Sequence, residues 1–578
     1  MNMKSSYNNI FKRSTRLLTV AILALFVISC SKEKTTIEPP STLEKTADGS
    51  TVVAFAVDDV IDLKTMAKAN SGNKTRGNTE FFQSKDGAVN AFLEMTSGAY
   101  TAGFNQNQQQ TIQKAAASGL KAGNLPTTAK YRLLLYDNTN TVLKKNIEIQ
   151  SGSSPQIPVD AGVAYKWYAV STNESSTPTV SNGKIAKSDL TNKDVLYASG
   201  TFTPQYGAVN KVPITFKHLN VAYSINLDSR GAFASINSSS QMAFPGTNVT
   251  LYAGDLALFT GVYENETAIS ASSLTSSMTT TTSNPSTGNA VVKNAVFYSS
   301  KGQTFDSSNR FSVNFTPLSL TIDEDNSVVS KNQNYIFTKD FTTASGFQYN
   351  FNVQLSPSGS IINGSNIWAP TNLMYVPGKS GTYAYRFRKS NAYASADPNE
   401  FWKWNTLSPE GFLGSGDPCK QVFPENTWRL PTPNEFANLG STPSSTLVNL
   451  QPSPGIFGTA ASVFVSRAYV AWQWRFGGNS KTIEEEYTLS TPINLILPFN
   501  GYMAINRFNG QDEMQNEPVA AALGFFYYSQ GHYWTSSAYK YQLMRDDQTF
   551  IFAQKEFNSV TTSVNTERRN IRCIRSKP

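Results

Sequence analysis

From Thr51 onward apolar and polar positions alternate over short runs. Val53, Phe55 and Val57 interleave with Val52, Ala54 and Ala56, the period of a β-strand. Further strands are predicted at 131–136, 142–149, 163–170, 212–216, 221–227 and 249–252, and one helix at 108–120. Turn clusters punctuate them, among them Asp137-Asn138-Thr139-Asn140 and Ser151-Gly152-Ser153-Ser154-Pro155, where short polar side chains can bond their own backbone. Many short strands with polar punctuation predict antiparallel sandwiches rather than strand–helix–strand units. Loop chemistry at 172–189 marks one boundary, and 356–365 marks another. The Ser/Thr-rich stretch 270–286 reads as a long exposed loop. Tryptophan usage changes at the second boundary. Trp167 is the only one before it, whereas Trp368, Trp402, Trp404, Trp428, Trp472, Trp474 and Trp534 follow.

The N-terminus is of a different kind. Lys4, Lys12, Arg13 and Arg16 precede an apolar run at 17–28, and Val27-Ile28-Ser29-Cys30 closes it. Basic, apolar and small elements in that order make a signal peptide, residues 1–29. The last four residues resemble the bacterial lipobox. That resemblance implies cleavage before Cys30, acylation of its thiol and new amine, and attachment to the outer membrane through chains worth about 0.8 kcal/mol per buried methylene. Residues 30–48, polar and containing Pro39-Pro40, then form a lipidated tether.

Removing residues 1–29 takes away four basic and no acidic side chains. The remainder holds 45 Lys+Arg against 41 Asp+Glu, so the formal charge falls from +8 to +4. Nucleic acid needs clustered basic charge, and no such partner is expected. The densest run, Arg568, Arg569, Arg572, Arg575 and Lys577, reads as a solvated terminal strand. Charged residues are 16% of the chain, below the usual quarter or so, and the 12% aromatic content argues against disorder. No apolar run reaches the roughly 20 residues of a spanning helix.

Three cysteines and two histidines exclude a disulfide-dense mini-domain and a Cys/His zinc site. With Cys30 assigned to the anchor, Cys419 and Cys573 in an exported chain read as one disulfide. His218 and His532 read as structural strand residues. Asp323-Glu324-Asp325 and Glu484-Glu485-Glu486 read as solvated charges, not as the paired carboxylates of a glycosidase. No catalytic residue, metal or cofactor is expected, and the chain is not read as an enzyme.

The clearest local signal is Thr427-Trp428-Arg429-Leu430-Pro431-Thr432-Pro433-Asn434-Glu435-Phe436. Thr432 is a candidate N-cap, Pro433 sits at the first helical position, and Glu435 can complete a capping box. Gly531-His532-Tyr533-Trp534-Thr535-Ser536-Ser537 and Arg569-Asn570-Ile571-Arg572-Cys573-Ile574-Arg575 read as strands. Together with Cys419, 368–375 and 401–407, these segments resemble bacterial surface domains with a C-type-lectin-like fold. The resemblance spans 365–578 and implies a Cys419–Cys573 bridge between a helix-side loop and the final strand. It implies no reaction. Calcium-dependent lectins use a Glu/Gln-Pro-Asn/Asp loop and a Trp-Asn-Asp strand, and neither occurs. Pro424-Glu425-Asn426 has the composition in the wrong order. The related formylglycine-generating enzymes use reactive cysteines, which the expected bridge would consume.

The first 355 residues resemble fimbrillins, the pilus subunits of Bacteroidetes-type bacteria. The matching elements are the lipobox, the strand at 51–57 followed by Lys74-Thr75-Arg76-Gly77, the strand at 131–136, and the segment 157–172. The most telling is Asp194-Val195-Leu196-Tyr197-Ala198 followed by Phe216-Lys217-His218-Leu219-Asn220, a pair that opens the second sandwich in that family. The resemblances imply a mainly β chain: two tandem transthyretin-like β-sandwiches, 49–185 and 186–355, followed by an α+β C-type-lectin-like domain, 356–578.

They also imply a mechanism. A trypsin-like protease cuts after Arg76, or after Lys74. The strand carrying Val53, Phe55 and Val57 leaves, and a neighbouring fimbrillin fills the groove by strand addition. A stalk subunit donates its C-terminal strand, whereas here a disulfide at Cys573 would hold that strand back. The expectation is a lipidated pilus-tip subunit and adhesin, with other fimbrillins as partners and a host or bacterial glycan or protein as ligand. The alternative is an anchored surface lipoprotein that binds glycan without polymerising.

Overall fold

The computed structural model describes residues 51–61, 78–82, 89–99, 125–206, 210–244, 249–270, 275–276, 278–357, 360–361, 366–388, 397–439, 444–452, 468–476, 495–498, 501–505, 511–515, 519–521, 526–528, 530–548, 553–564 and 566–576. The candidate anchor Cys30, the candidate cleavage residues Lys74 and Arg76, the helix expected at 108–120 and the cluster Glu484-Glu485-Glu486 lie outside them. The chain is mainly β. It divides into two compact units, a small one holding 51–54, 155–164, 203–206 and 210–212 of the described residues, and a large one holding the rest.

In the small unit, Thr51, Val52, Val53 and Ala54 pair antiparallel with Val159, Pro158, Ile157 and Gln156. The Asn210 side chain donates to Val52 O at 3.4 Å and accepts from Gln205 N at 3.0 Å, which pins the turn beside that ladder.

The large unit opens with a sheet in the order Leu143–Gln150, Lys130–Asp137, Tyr165–Ser171, Leu196–Phe202 and then residues 213–218 of the strand Asn210–His218. Its inner strand Lys130–Asp137 is apolar on both faces, and Leu133, Leu134 and Leu135 are all fully buried. Leu134, Tyr136, Tyr168, Val170 and Tyr197 pack against Ile185, Leu256 and Leu258. Those partners come from a four-stranded layer, Val262–Ala268, Tyr252–Ala257, Lys184–Ile185 and Val180–Ser181. The turn at Asp137 forms as its side-chain chemistry predicts: the carboxylate accepts from Thr141 N at 2.7 Å and Val142 N at 3.1 Å, and Asn140 is left-handed at φ 62°.

A second pair of sheets follows. One runs Thr279–Ser283, Ala290–Ser299, Val221–Asp228, Phe347–Leu355, Ala91–Ala99, Asn78–Phe82. The other is built on Ser312–Ile322, flanked by Ala234–Ile236, Met242–Ala243 and Val328–Ile336. In Phe347–Leu355 strict alternation sends Tyr349, Phe351, Val353 and Leu355 inward. They meet Phe311, Phe315, Leu318 and Leu320 in one core, with the Phe311 and Phe351 rings stacked at 3.7 Å.

Sheet membership differs from the linear boundaries read at 185 and 355. Strands Asn78–Phe82 and Ala91–Ala99, expected in the first sandwich, extend the second. Nine consecutive residues of Ala91–Ala99 ladder onto Phe347–Leu355. Leu196–Phe202 and Asn210–His218, expected in the second sandwich, belong to the first sheet, and the hairpin at 252–268 packs there too. The stretch 270–286 is not a plain loop, since Thr279–Ser283 adds an edge strand to Ala290–Ser299. Strand partners are set by side-chain burial across sheets, so short strands separated by polar turns can cross between layers.

The described residues of 366–576, called the C-terminal domain below, pack around a core of Ile367, Trp402, Cys419, Val422, Trp428, Leu430, Trp534, Ile571 and Cys573. Its single described α-helix, Pro433–Ala437, starts at a complete capping box. Thr432 Oγ1 accepts from Glu435 N at 3.2 Å, and Glu435 Oε2 accepts from Thr432 N at 2.8 Å. Among the described residues, no helix is long and apolar enough to cross a membrane.

Candidate functional site

Two strands named by the sequence reading come first: Thr51–Ile61, and the last strand of the C-terminal domain. The first pairs with Gln156–Val159 through Thr51–Ala54. Val53 and Phe55 are fully buried and Val57 is half-buried, while Ala56 and Asp58 face out. The Phe55 ring meets Trp167 edge-on at 6.1 Å and Phe202 at 5.5 Å. Gly200 makes room for that indole: a Cβ there would come within 2.8 Å of Trp167. The strand is thus seated through alternate apolar side chains.

The two motifs expected to mark the second sandwich meet each other. Leu196 pairs with His218 and Tyr197 with Lys217, and the buried His218 Nδ1 lies 2.8 Å from Asp194 Oδ1. His218 therefore links two strands in the interior. His532 is also interior, held between the rings of Tyr502 at 4.8 Å and Tyr541 at 5.1 Å. Burial, and then the nearby Arg569 cation, push its pKa well below the usual value, so it stays neutral. Both are structural residues in this geometry.

The terminal segment 568–576 runs through the interior of its domain. Arg568 and Met503 exchange backbone hydrogen bonds, as do Arg569 and Trp402, and Ile574 and Arg429. Asn570 O accepts from Trp534 N, Ile571 O from Leu373 N, and Cys573 O from Ala369 N. Ile574–Ser576 pairs with Asn366–Trp368. Cys419 and Cys573, both fully buried, form a disulfide. Asp417 sets the cysteine loop by accepting from Cys419 N at 2.9 Å and Leu430 N at 2.8 Å. Sequence reading missed it; its signal was an Asp-Pro pair two residues before the cysteine, an N-cap pattern.

The basic tail is not solvated. Arg568, Arg569 and Arg572 are each at most 2% exposed and Arg575 9%. Arg569 sits 3.8 Å from the Tyr541 ring and 5.0 Å from that of Trp534, and pairs with Glu567 at 2.7 Å. Arg572 donates to Ala369 O and Asn372 Oδ1, and burial pulls its pKa down to about 10. A planar guanidinium can stack on rings and still donate, so the aromatic domain accommodates these cations. Asp323 and Glu324 are not free surface charges either. Asp323 accepts from Ser235 Oγ at 3.3 Å, and Glu324 lies 3.8 Å from both Arg386 and Arg388.

Trp368, Trp402, Trp428 and Trp534 are core residues, whereas Trp404 is half-buried and donates to Thr535 O at 3.1 Å. No group of three or more His, Cys, Asp or Glu placed to hold a metal ion occurs among the described residues.

No family model and no curated protein matches the chain. Several solved structures do. A candidate cell adhesion protein from Bacteroides fragilis NCTC 9343 aligns over 49% of this chain and 92% of its own, at 12% identity and a TM-score of 0.27. The fimbrial anchor protein Mfa2 from Porphyromonas gingivalis aligns over 40% and 96%, at 10% identity and 0.20. A candidate cell adhesion protein from Bacteroides thetaiotaomicron VPI-5482 aligns over 49% and 97%, at 15% identity and 0.22. At these scores the likeness carries no argument, and the functional reading stands on the residues of this chain.

The two strands are held in different ways. One strand is held by a ladder and a few apolar side chains. The other is held by backbone bonds to several segments, buried cations and a covalent bridge.

Proposed function

We propose that this protein is an adhesive subunit at the tip of a surface fimbrium. In this reading it is a fimbrillin-like lipoprotein attached through Cys30, with two transthyretin-like sandwiches and a C-type-lectin-like terminal domain. Proteolysis after Arg76, or after Lys74, releases the strand Thr51–Ile61, and a strand from the neighbouring fimbrillin takes its place. Val53 and Phe55 mark the positions where the incoming strand must carry apolar side chains.

The observation that carries the tip position is the captivity of residues 568–576. A segment with backbone partners at Trp402, Arg429, Met503 and Trp534 and a bridge to Cys419 cannot be given to a neighbour without unravelling the domain. Such a subunit accepts a strand and presents the closed domain outward.

The test is incorporation. The chain is digested with trypsin, the cut is located by intact mass, and the product is mixed with a polymerising fimbrillin and tagged for electron microscopy. A cut at 74 or 76 followed by label at one fibre end is expected. Label along the shaft, or residues 568–576 cross-linked into a neighbouring subunit, would defeat the reading. Absence from fibres would favour the non-polymerising lipoprotein.

A further inference from the structure

The C-terminal domain and the second sandwich enclose a cavity of about 300 Å³. Arg230, Asp323 and Glu324 line it from the sandwich, and Tyr383, Arg386 and Phe423 from the C-terminal domain. No local pattern in the sequence signals it, because these side chains come from segments about 60 to 190 residues apart.

The charges there are largely compensated before any ligand enters. Arg230 makes a two-point bridge to Asp228, with Nε 3.0 Å from Oδ1 and Nη2 2.7 Å from Oδ2, and lies 4.2 Å over the Phe423 ring. Glu324 stands between Arg386 and Arg388. Asp323 sits within the electrostatic reach of Arg386 and Lys379, and burial keeps its pKa above the usual value. Among the described residues, Ser235 supplies the one hydrogen bond to its carboxyl group, at 3.3 Å. The buried Arg386 Nε has no hydrogen-bond partner there. That atom is closed off from the cavity, so what the guanidinium offers a ligand there is its charge.

We propose that this cavity is a saccharide subsite that takes the end of a neutral glycan. A sugar hydroxyl donates and accepts at once, so neighbouring hydroxyls can accept from the Lys379 and Arg386 cations and donate to Asp323, all three of which line the cavity. A pure donor or a pure acceptor would satisfy only one of the two. Tyr383 and Phe423 add aromatic surface to the lining, against which the C–H groups of a pyranose can pack. A charged ligand would leave one member of a compensated set unpaired, which is costly in a partly buried site. The volume stands at the lower end of the roughly 300–1,000 Å³ range of ligand pockets, enough for about one or two rings. This gives the adhesive part of the proposed function a site and rests on that part alone, since strand exchange does not enter it.

The experiment uses the full chain, uncut and in solution. Saturation-transfer NMR is run with methyl glycosides of glucose, galactose, mannose, fucose and N-acetylglucosamine, their disaccharides, and sialyllactose as the charged probe. At least one neutral saccharide is expected to bind, and D323N and R386L are each expected to weaken it about tenfold or more. T382W, which fills the cavity and leaves the ion pairs in place, should abolish the signal, and it decides the matter if either charge variant melts early. No neutral binder, binding by sialyllactose alone, or affinity unchanged in T382W overturns the proposal. Any of these would leave fibre incorporation untouched, so the two readings fail separately.

Discussion

The guanidinium of Arg575 lies 3.5 Å from the centre of the Phe92 ring. Phe92 belongs to the strand Ala91–Ala99 and is 2% exposed, buried in the core of the C-terminal domain. Its neighbour Leu93 points the other way, into the core of the second sandwich. One strand therefore contributes to two cores, and Phe233 against Phe387 at 5.5 Å extends the same joint.

That joint predicts coupled stability. Phe92→Ala should destabilise the chain by about 3–5 kcal/mol, as large-to-small changes of buried aromatics do. Arg575→Ala should lose about 1–2 kcal/mol of cation–π contact. Because the two touch, the double variant should lose measurably less than the sum. Guanidinium unfolding followed by tryptophan fluorescence reads all three, and strictly additive losses would show that the contact does not couple the segments.

The disulfide should matter for its loop. It joins residues 154 apart, for which the chain-entropy estimate is about 5 kcal/mol, within the roughly 2–5 kcal/mol lost when native bridges are removed. Replacing both cysteines by alanine should lower the unfolding free energy of the C-terminal domain by that order, while the ladders from 568–576 keep it folded at 25 °C. Equal denaturation midpoints with and without the bridge would contradict this.

Local chemistry was legible where it is local. The capping box at Thr432 and Glu435, the turn at Asp137 and the alternation at Thr51 need only neighbours in sequence, and each forms. The buried arginines were not legible. Whether Arg569 is solvated depends on Tyr502, Trp534 and Tyr541, which the fold brings from separate segments. The same holds for Asn78–Phe82 and Ala91–Ala99. Neither was predicted as a strand, and nothing local to them says which sheet offers an edge. The cavity at Asp323 and Arg386 needs two domains to exist at all.

Acid should act through Glu435. Burial alone would raise its pKa. The Arg429 guanidinium at 2.6 Å and the Thr432 donors outweigh that and hold the carboxyl at about 2, against 4.5 for an ordinary glutamate. A lowered folded-state pKa means that the folded state binds the proton less readily. The stabilisation is therefore complete above about 4.5 and is lost as pH falls from there towards 2. Glu435→Gln should remove this component. Its deficit relative to the parent chain should be constant at neutral pH and shrink through that acid window. A deficit that did not change between pH 7 and pH 2.5, read by thermal melts, would count against the ion pair as its source.

The seat of the first strand can be tested without a pilus. If Thr51–Ile61 is held by its ladder and by Val53 and Phe55, then a chain cut after residue 76 and stripped of its N-terminal segment should rebind a synthetic 49–61 peptide. Phe55 packs on Trp167 and Phe202 and is fully buried, so its truncation to alanine removes about 3 kcal/mol or more of contact, roughly a hundredfold in affinity. Changing the exposed Ala56 to serine should alter affinity little. Trp167 provides the readout, because it is the indole against which Phe55 packs. Equal binding by the Phe55→Ala and Ala56→Ser peptides would mean that the groove does not read alternate side chains. A neighbouring subunit could not then be selected by the pattern of its donated strand.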